Sequence, residues 1–396
     1  MYSRVKMVQV MDSKVLVVQV SSELDLDEYL NSIVTKRWVL DTLHGNSARF
    51  DKLRHEHSIN RISYREVSGD DKSLYDGCIK IYFDGVKSSF ELYIKNDKSN
   101  HILHEIKFYN YIGDAYSRMK LPRIYGYYSK KKKSSSKIAS IMPKDTEHTK
   151  NKMGCMLMAE FDGIRQDTKH GFDIQTSLKI MIDIARYHAF TLCMPNSKRI
   201  LEKFKNDDKH DIVDEKDINS IISKMDNEYC KENKDLAHRL VKAARKNKVK
   251  YDIPKVVVHG HLSTENIYFC KRTNGNTEKD TVSFLNWSSC HLDLGMVDVI
   301  RYTLLNTSGN VQNMCLERFI KIHHDTFKAE LKKNNINIDF SNYVIKDVLK
   351  HLYPSQLVYC ITSLYNTYTE AVSKEMKTVL WDRIKGGLEL FKKLDF

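Results

Sequence analysis

The sequence predicts an α+β protein in which short strands come first and amphipathic helices follow. In the first 160 residues, β-branched and aromatic residues form short strand-like runs, and after residue 161 apolar residues recur at helical spacing. Strands and helices segregated in this way along a chain are typical of the α+β class. A chain of 396 residues is long enough for about two domains or lobes.

Residues 1–60 predict an N-terminal extension with a strand and a helix, to which the sequence assigns no role. The run Val15–Val20 is strand-like. Ser22–Leu30 predicts a helix, because Ser22 is a good N-cap and acidic residues follow in the first turn.

Residues 61–160 predict the antiparallel sheet of a small lobe. Cys78–Phe83 and Phe90–Lys95 are strand-like, and Asp84-Gly85 lies near their junction, which is a hairpin signal. Apolar residues at helical spacing from Ile102 to Ile112 predict the helix that follows.

A strand at Met156–Phe161 ends the small lobe, and residues 161–396 predict a larger, mostly helical one. A loop region at 256–301 interrupts the helices. The helical predictions, from apolar spacing, are Leu178 to Ala189, one or two surface helices within 202–250, Met314 to Leu331, and Val344 to Phe391.

The chain carries an excess of positive charge. It has 64 Lys and Arg against 51 Asp and Glu, a formal charge of +13, which favours anionic partners such as nucleotides, phospholipid headgroups or nucleic acid. The excess is spread along the chain, so most of it is expected on the solvated surface. Lys130–Lys133 begins a polar, serine-rich loop, with docking to an acidic surface or nuclear import as alternatives.

Cysteine usage and hydropathy indicate a cytoplasmic protein. The eight cysteines are isolated, without a C-x-x-C pair, which fits reduced thiols better than disulfides or a zinc site. No run approaches 18 apolar residues, and the N-terminus has no signal-peptide pattern. No membrane span is expected.

Two similar units combine a buried strand with a polar loop. Val256–Val258 is a β-branched run that breaks at His259-Gly260, and a polar loop ending at Asn266 leads into Ile267–Phe269. Such a run predicts a buried strand that feeds a loop of exposed polar side chains. The second unit is Val282–Trp287.

Together these units resemble the phosphotransfer core of the choline kinase, aminoglycoside phosphotransferase and ecdysteroid kinase group, and above all its CHK-kinase-like members. That group has the pattern H-G-D-x-x-x-x-N, followed by a strand ending in D-W or D-F. His259, Gly260 and Asn266 match it. His261 stands where the group has its catalytic Asp, and Asn286 where it has a metal-binding Asp.

The resemblance covers about residues 60–310 and implies a bilobal, protein-kinase-like fold. In such folds a strand Lys contacts the nucleotide phosphates and a helix Glu holds its ammonium group; Lys95 and Glu105 match these two positions. By position, the backbone around Glu160 corresponds to the hinge that binds an adenine edge. From the residues alone, Lys95 and Glu105 could equally be solvated. Ser68–Asp71 is the candidate phosphate-covering loop, but it lacks a G-x-G-x-x-G pattern.

The resemblance also implies roles for the loop residues. In the group, the loop Asp deprotonates the substrate hydroxyl, while the strand-end Asp and the loop Asn hold Mg²⁺. Carried over, His261, Asn266 and His259 are the catalytic candidates, and Asn266 and Asn286 are weak metal ligands. The substitutions remove about two negative charges where a dication would be bound. ATP is therefore a possible ligand, and Mg²⁺ binding should be weak at most.

Two classes of function remain open, with a third as a weaker alternative. The first is a pseudokinase that binds a protein partner or a nucleotide. The second is an active ATP-dependent O-phosphotransferase for a small-molecule alcohol, with His261 as substitute base, since imidazole is a competent proton acceptor. The third is nucleic-acid binding through the basic surface, although the sequence has no module signature for it.

Three further residues match the group and are interpreted as structural. His188 lies in a helix that resembles the L-A-x-x-H-A segment, and Asp298 and Arg301 match its D-L-x-R ending. Because Asp298 and Arg301 are three residues apart on a predicted helix, they can pair locally.

Overall fold

A computed structural model of the chain describes residues 6–8, 16–18, 24–31, 34–67, 75–97, 101–129, 154–167, 169, 171–205, 214–245, 254–270, 281–338 and 342–394. The chain divides into two compact units, Met1–Asn110 with Leu121–Asp162 and Tyr111–Lys120 with Gly163–Phe396. The predicted α+β class is confirmed, because the first unit contains an antiparallel sheet and the second is mostly helical.

Among the described residues, ten strands and α-helices precede Asp162. They are β1 (Lys6–Val8), β2 (Leu16–Val18), α1 (Lys36–Leu43), α2 (Ala48–Glu56), β3 (Ile59–Glu66), β4 (Gly77–Phe83), β5 (Phe90–Asp97), α3 (His101–Tyr111), β6 (Ile124–Ser129) and β7 (Gly154–Met158). β1 pairs with β2, and the other strands form one antiparallel sheet in the order β3-β4-β5-β7-β6. β4 and β5 form the predicted hairpin, and Gly85 takes the positive φ that its turn requires.

The helix predicted at Ser22–Leu30 is wrong for its described residues, 24–30, which form turns and a bridge from Tyr29 to Thr35. Backbone hydrogen bonds with the next segment outweigh the local preference for a helix. The backbone N–H of Arg37 donates to Leu26, and that of Lys36 donates to Glu28. Ser22, Ser68–Asp71 and Lys130–Lys133 lie outside the described residues.

The two N-terminal helices share the core of the sheet. Trp38 of α1 and Phe50 of α2 are buried in one cluster with Ile79 and Leu92 from the central strands. Thr35 and Ser47 cap these helices by accepting the backbone N–H groups three residues on. Residues 34–56, within the predicted N-terminal extension, therefore form part of the first unit's core.

The second unit contains fourteen strands and α-helices in its described residues. They are β8 (Ile164–Arg165), α4 (Ile174–Cys193), α5 (Ser197–Leu201), α6 (Glu215–Met225), α7 (Asn227–Glu232), α8 (Leu236–Arg245), β9 (Val256–Val258), β10 (Ile267–Cys270), β11 (Thr281–Phe284), β12 (His291–Asp293), α9 (Met296–Asn306), α10 (Gly309–Lys333), α11 (Asn342–Glu370) and α12 (Lys374–Lys393). The strands form two small antiparallel sheets, β8-β10-β11 and β9-β12.

β9 is buried among helices of the second unit. Val256 and Val258 share a cluster with Ala185 of α4, Val297 of α9 and Phe327 of α10. Burying a large apolar side chain contributes roughly 1.5–3 kcal/mol, so this cluster fixes the strand from which the polar loop starts. Within the described ranges, none of the helices combines the length and apolar character needed to cross a bilayer.

Candidate functional site

The loop after β9 turns sharply at Gly260. This residue has φ of +83°, and a Cβ atom there would lie 2.3 Å from the carbonyl oxygen of Ser289. Both the left-handed backbone and the close approach exclude a side chain. The turn directs the chain towards His261 and Asn266.

Asp298, on α9, anchors the backbone of this loop. Its carboxylate accepts the N–H groups of His259 at 2.7 Å and Gly260 at 2.9 Å, and the Nε2 atom of His188 lies 3.1 Å away. Burial alone would raise the pKa of Asp298, but the hydrogen bond and charge of His188 and the loop contacts lower it to about 2. Asp298 is therefore a buried carboxylate that orders the loop.

The local pairing of Asp298 with Arg301 that their spacing allows is not formed. Arg301 instead donates Nε to Gln356 at 2.6 Å and a terminal nitrogen to the carbonyl oxygen of Gly260. Asp298 thus accepts from N–H groups of the turn, and Arg301 donates to a carbonyl oxygen of the same turn. The physical reason is that the buried loop backbone needs partners of both kinds.

Two histidines continue this buried network. His188 is fully buried, and its Nδ1 lies 2.9 Å from Nε2 of His323. This contact joins His323 to the pair formed by His188 and Asp298. Burial lowers the pKa of His323 well below its usual value. His188 thus has contacts that suit a structural histidine.

His259 is also used within the loop. Its Nε2 lies 2.8 Å from the carbonyl oxygen of Leu285, its Nδ1 accepts the N–H of His261 at 3.2 Å, and its ring packs on Trp287. The side chain is buried. His259 therefore links the loop to the end of β11.

His261, at the position of the catalytic Asp, is half-buried. Its Nδ1 lies 2.8 Å from the hydroxyl oxygen of Tyr359 on α11, and the guanidinium of Arg301 lies 3.7 Å over that tyrosine ring. Burial, with the nearby His259 and Arg301, lowers the pKa of His261 to about 4. The imidazole is therefore neutral near pH 7.

Asn266 and Asn286 contact each other. The Nδ2 of Asn266 donates to the carbonyl oxygen of His261 at 2.9 Å, the Nδ2 of Asn286 donates to Oδ1 of Asn266 at 3.2 Å, and Ser288 donates to Oδ1 of Asn286 at 2.9 Å. A backbone carbonyl can only accept, so it fixes the orientation of the first amide and thereby of the second. Asn286 takes the left-handed backbone that asparagine tolerates.

These contacts do not fit a magnesium site. Mg²⁺ is usually bound through carboxylates, but the two side-chain oxygens of Asn266 and Asn286 are neutral and already accept hydrogen bonds. The side-chain oxygen that Asn266 would offer to an ion accepts an N–H of Asn286. Across the described residues, no group of three or more His, Cys, Asp or Glu side chains is placed to hold a metal.

The first unit contains the Lys95–Glu105 pair. Lys95 lies on β5 opposite Met156 of β7, and Glu105 lies on α3. The Nζ atom of Lys95 is 2.6 Å from Oε2 of Glu105, and the side chains are 13% and 2% exposed. The alternative left open by the sequence, in which both side chains are solvated, does not agree with this burial.

Residues next to Glu160 also have partners in this unit. The exposed Glu160 accepts the hydroxyl of Tyr93 at 3.3 Å, and the N–H of Phe161 donates to the hydroxyl of Tyr75 at 3.0 Å. The rings of Tyr75 and Tyr93 lie 4.4 Å apart. Burial raises the pKa of Tyr93, with Glu160 adding to the effect.

The structure thus brings the predicted residues together in two sets. His259, His261, Asn266 and Asn286 form one, in the second unit, and Lys95 with Glu105 forms the other, in the first. Sequence reasoning missed three contributing residues, because no local motif marks them. These are Tyr75, Ser288 and Tyr359.

No protein-family model matches the chain. No curated protein matches it either.

Several solved structures match the chain. Choline kinase from Cryptosporidium parvum Iowa II has a TM-score of 0.46 at 11% identity, covering 90% of this chain and 96% of its own. Plasmodium vivax ethanolamine kinase has a TM-score of 0.42 at 12% identity, covering 91% and 88%. An ADP-bound aminoglycoside phosphotransferase has a TM-score of 0.39 at 10% identity, covering 87% and 99%.

Proposed function

We propose that this chain is a kinase-like protein that has lost phosphotransfer, a pseudokinase that holds a nucleotide without Mg²⁺. The observation that supports this most directly is the hydrogen bond from Asn286 to Asn266. Phosphoryl transfer depends on cations that neutralise the phosphates, and here an amide N–H takes the oxygen that such a cation would need.

The character of His261 supports the same proposal. A general base works best when its pKa lies near the operating pH, and the pKa of His261 is lowered to about 4. At neutral pH the ring is uncharged but binds an incoming proton weakly. The alternative, an active ATP-dependent alcohol O-phosphotransferase with His261 as base, requires that this weak base remove a hydroxyl proton.

The Lys95–Glu105 pair supports the nucleotide part of the proposal. The buried carboxylate of Glu105 holds an ammonium group that is 13% exposed, an arrangement in which Lys95 can contact a phosphate. An adenine that used the backbone N–H of Phe161 would first have to displace the hydroxyl of Tyr75. We therefore expect weak binding of ATP.

Titration of the protein with ATP, in Mg²⁺ and in EDTA, tests the proposal. We expect weak affinity that Mg²⁺ leaves nearly unchanged, and loss of binding when Lys95→Met is combined with Glu105→Gln. The matched control is Lys52→Met, which removes an exposed lysine of α2.

Strong tightening by Mg²⁺ would contradict the pseudokinase proposal. Mg²⁺-dependent transfer of phosphate to an alcohol, abolished by His261→Ala, would establish the active enzyme instead. Nucleic-acid binding stays a prediction from the charge excess alone, and a salt-dependent oligonucleotide titration would test it.

A further inference from the structure

We propose that Tyr359 fixes the ring of His261 as a hydrogen-bond donor, so that position 261 holds an acceptor oxygen of a ligand and does not remove a proton from it. The identity of that ligand, a nucleotide phosphate or an alcohol, rests on the proposed function. The state of the ring does not.

The two side chains come from distant parts of the second unit. His261 lies in the loop after β9 and Tyr359 in α11, and 2.8 Å separates the Nδ1 atom from the hydroxyl oxygen. The backbone of His261 is held at both polar groups, because its N–H donates to His259 and its C=O accepts from Asn266. The ring is thus presented to Tyr359 from a fixed position.

The direction of this hydrogen bond follows from the chemistry of the partners. A phenol is a strong O–H donor and a poor acceptor, since its oxygen lone pair is delocalised into the ring. The unprotonated nitrogen of an imidazole is a strong acceptor. The phenol therefore donates and Nδ1 accepts.

Arg301 strengthens this preference. Its guanidinium lies 3.7 Å over the ring of Tyr359 and is held there by Gln356 and the carbonyl oxygen of Gly260. A cation over the ring withdraws electron density and makes the hydroxyl a better donor. Burial keeps that hydroxyl protonated, because it raises the pKa of Tyr359 despite the opposing effect of Arg301.

A neutral imidazole carries one ring proton, so an accepting Nδ1 places that proton on Nε2. Among the described residues, no protein atom forms a hydrogen bond with Nε2 of His261. The ring thus offers a ligand an N–H donor. An aspartate in this position would offer acceptor oxygens to a ligand. His261 offers a donor N–H in their place.

Long-range ¹H–¹⁵N correlation NMR at pH 7, on protein labelled in its histidine rings, tests the assignment directly. The signal of His261 is identified by its loss in His261→Gln. We expect a protonated Nε2 and a bare Nδ1 in the wild type. In Tyr359→Phe, which keeps an aromatic ring under Arg301, we expect a mixture of both tautomers.

Tyr365→Phe is the matched control, because Tyr365 lies on the same helix without a hydrogen bond from its hydroxyl to a described residue. It should leave the tautomer unchanged. A wild-type ring protonated on Nδ1 would overturn the proposal, and so would a Tyr359→Phe spectrum identical to that of the wild type.

ATP in EDTA then tests the ligand contact. If ATP binds and the Nε2–H signal of His261 shifts, the contact is supported. If such binding occurs and the signal stays in place, the ligand part of the inference is overturned. The tautomer needs no nucleotide for its measurement, so its failure is distinguishable from failure of the pseudokinase proposal.

Discussion

The side-chain amide of Asn286 donates to the side-chain oxygen of Asn266 across 3.2 Å. This contact joins the end of β11 to the loop after β9. The N–H group presents a partial positive charge to this oxygen, although the amide as a whole is neutral. The side-chain oxygens of Asn266 and Asn286 thus both accept hydrogen bonds from protein groups, which makes the effect of introducing carboxylates informative.

Restoring both acids should restore metal dependence. We expect His261→Asp combined with Asn286→Asp to tighten ATP binding in Mg²⁺ by about tenfold or more relative to EDTA. The reason is that two carboxylates replace neutral groups, and the side-chain oxygen of Asn266 no longer accepts an N–H from residue 286. Calorimetric titration in both buffers measures the effect.

The single changes should do less, because base and metal site act as a unit. A double change with the same charge at exposed surface positions, His55→Asp with Asn310→Asp, should leave the wild-type behaviour intact. If the restored protein binds ATP identically in both buffers, the site has diverged beyond these two positions.

Local patterns predicted the elements that carry the site. Helix α3, the β4–β5 hairpin and the strands on either side of the loop all follow from residue spacing, because their periodicity is a local property of the sequence. The positions of His261 and Asn286 follow from the motif spacing in the same way. Lys95 and Glu105, assigned by resemblance, do form a pair.

Contacts between distant segments could not be predicted. Tyr359 lies 98 residues from His261, in a helix whose apolar pattern gives no sign of a polar role. The local signal was misleading for Asp298 and Arg301, whose spacing allows a helical ion pair. Burial of the loop backbone decided their partners instead.

Removing the charge of Asp298 should destabilise the second unit. We expect Asp298→Asn to lower the free energy of unfolding by roughly 3 kcal/mol at pH 7, since the carboxylate accepts from two backbone N–H groups and His188. Urea unfolding followed by circular dichroism measures it. Asp325→Asn, at an exposed surface pair with Lys321, is the control and should change little.

The acid dependence of this effect has a definite sign. The pKa of Asp298 is lowered in the folded state from 3.8 to about 2, so its contribution is present above pH 4 and is lost as the pH falls towards 2. The gap between wild type and Asp298→Asn should therefore narrow over that interval. A gap that stays constant down to pH 2 would show that the charge is not the cause.

His261 should weaken the fold in mild acid. Its pKa is lowered from 6.5 to about 4, so between these values the unfolded chain binds the proton that the folded ring does not. Wild-type stability then falls as the pH drops from 6.5 to 4, by up to about 3 kcal/mol from this residue. His261→Gln removes the titration and should lose less stability over the same range.

Urea titrations at pH 7, 5.5 and 4.5 provide the comparison. His55→Gln, which replaces an exposed histidine of α2, should follow the wild-type profile. Parallel profiles for His261→Gln and the wild type would contradict a neutral, proton-resisting ring at position 261.

The Lys95–Glu105 pair should be energetically coupled. Glu105 is 2% exposed, so Lys95→Met leaves a buried carboxylate without its ammonium partner, and we expect a loss of roughly 3 kcal/mol. Adding Glu105→Leu should recover most of that loss, because the unpaired charge is removed as well. Chemical unfolding of both single variants and the double variant gives the coupling energy.

Lys52→Met, at an exposed lysine, should change stability by less than about 0.5 kcal/mol. Additive effects at positions 95 and 105 would mean that the contact is not energetically coupled, and the phosphate-binding role proposed for Lys95 would lose its structural support.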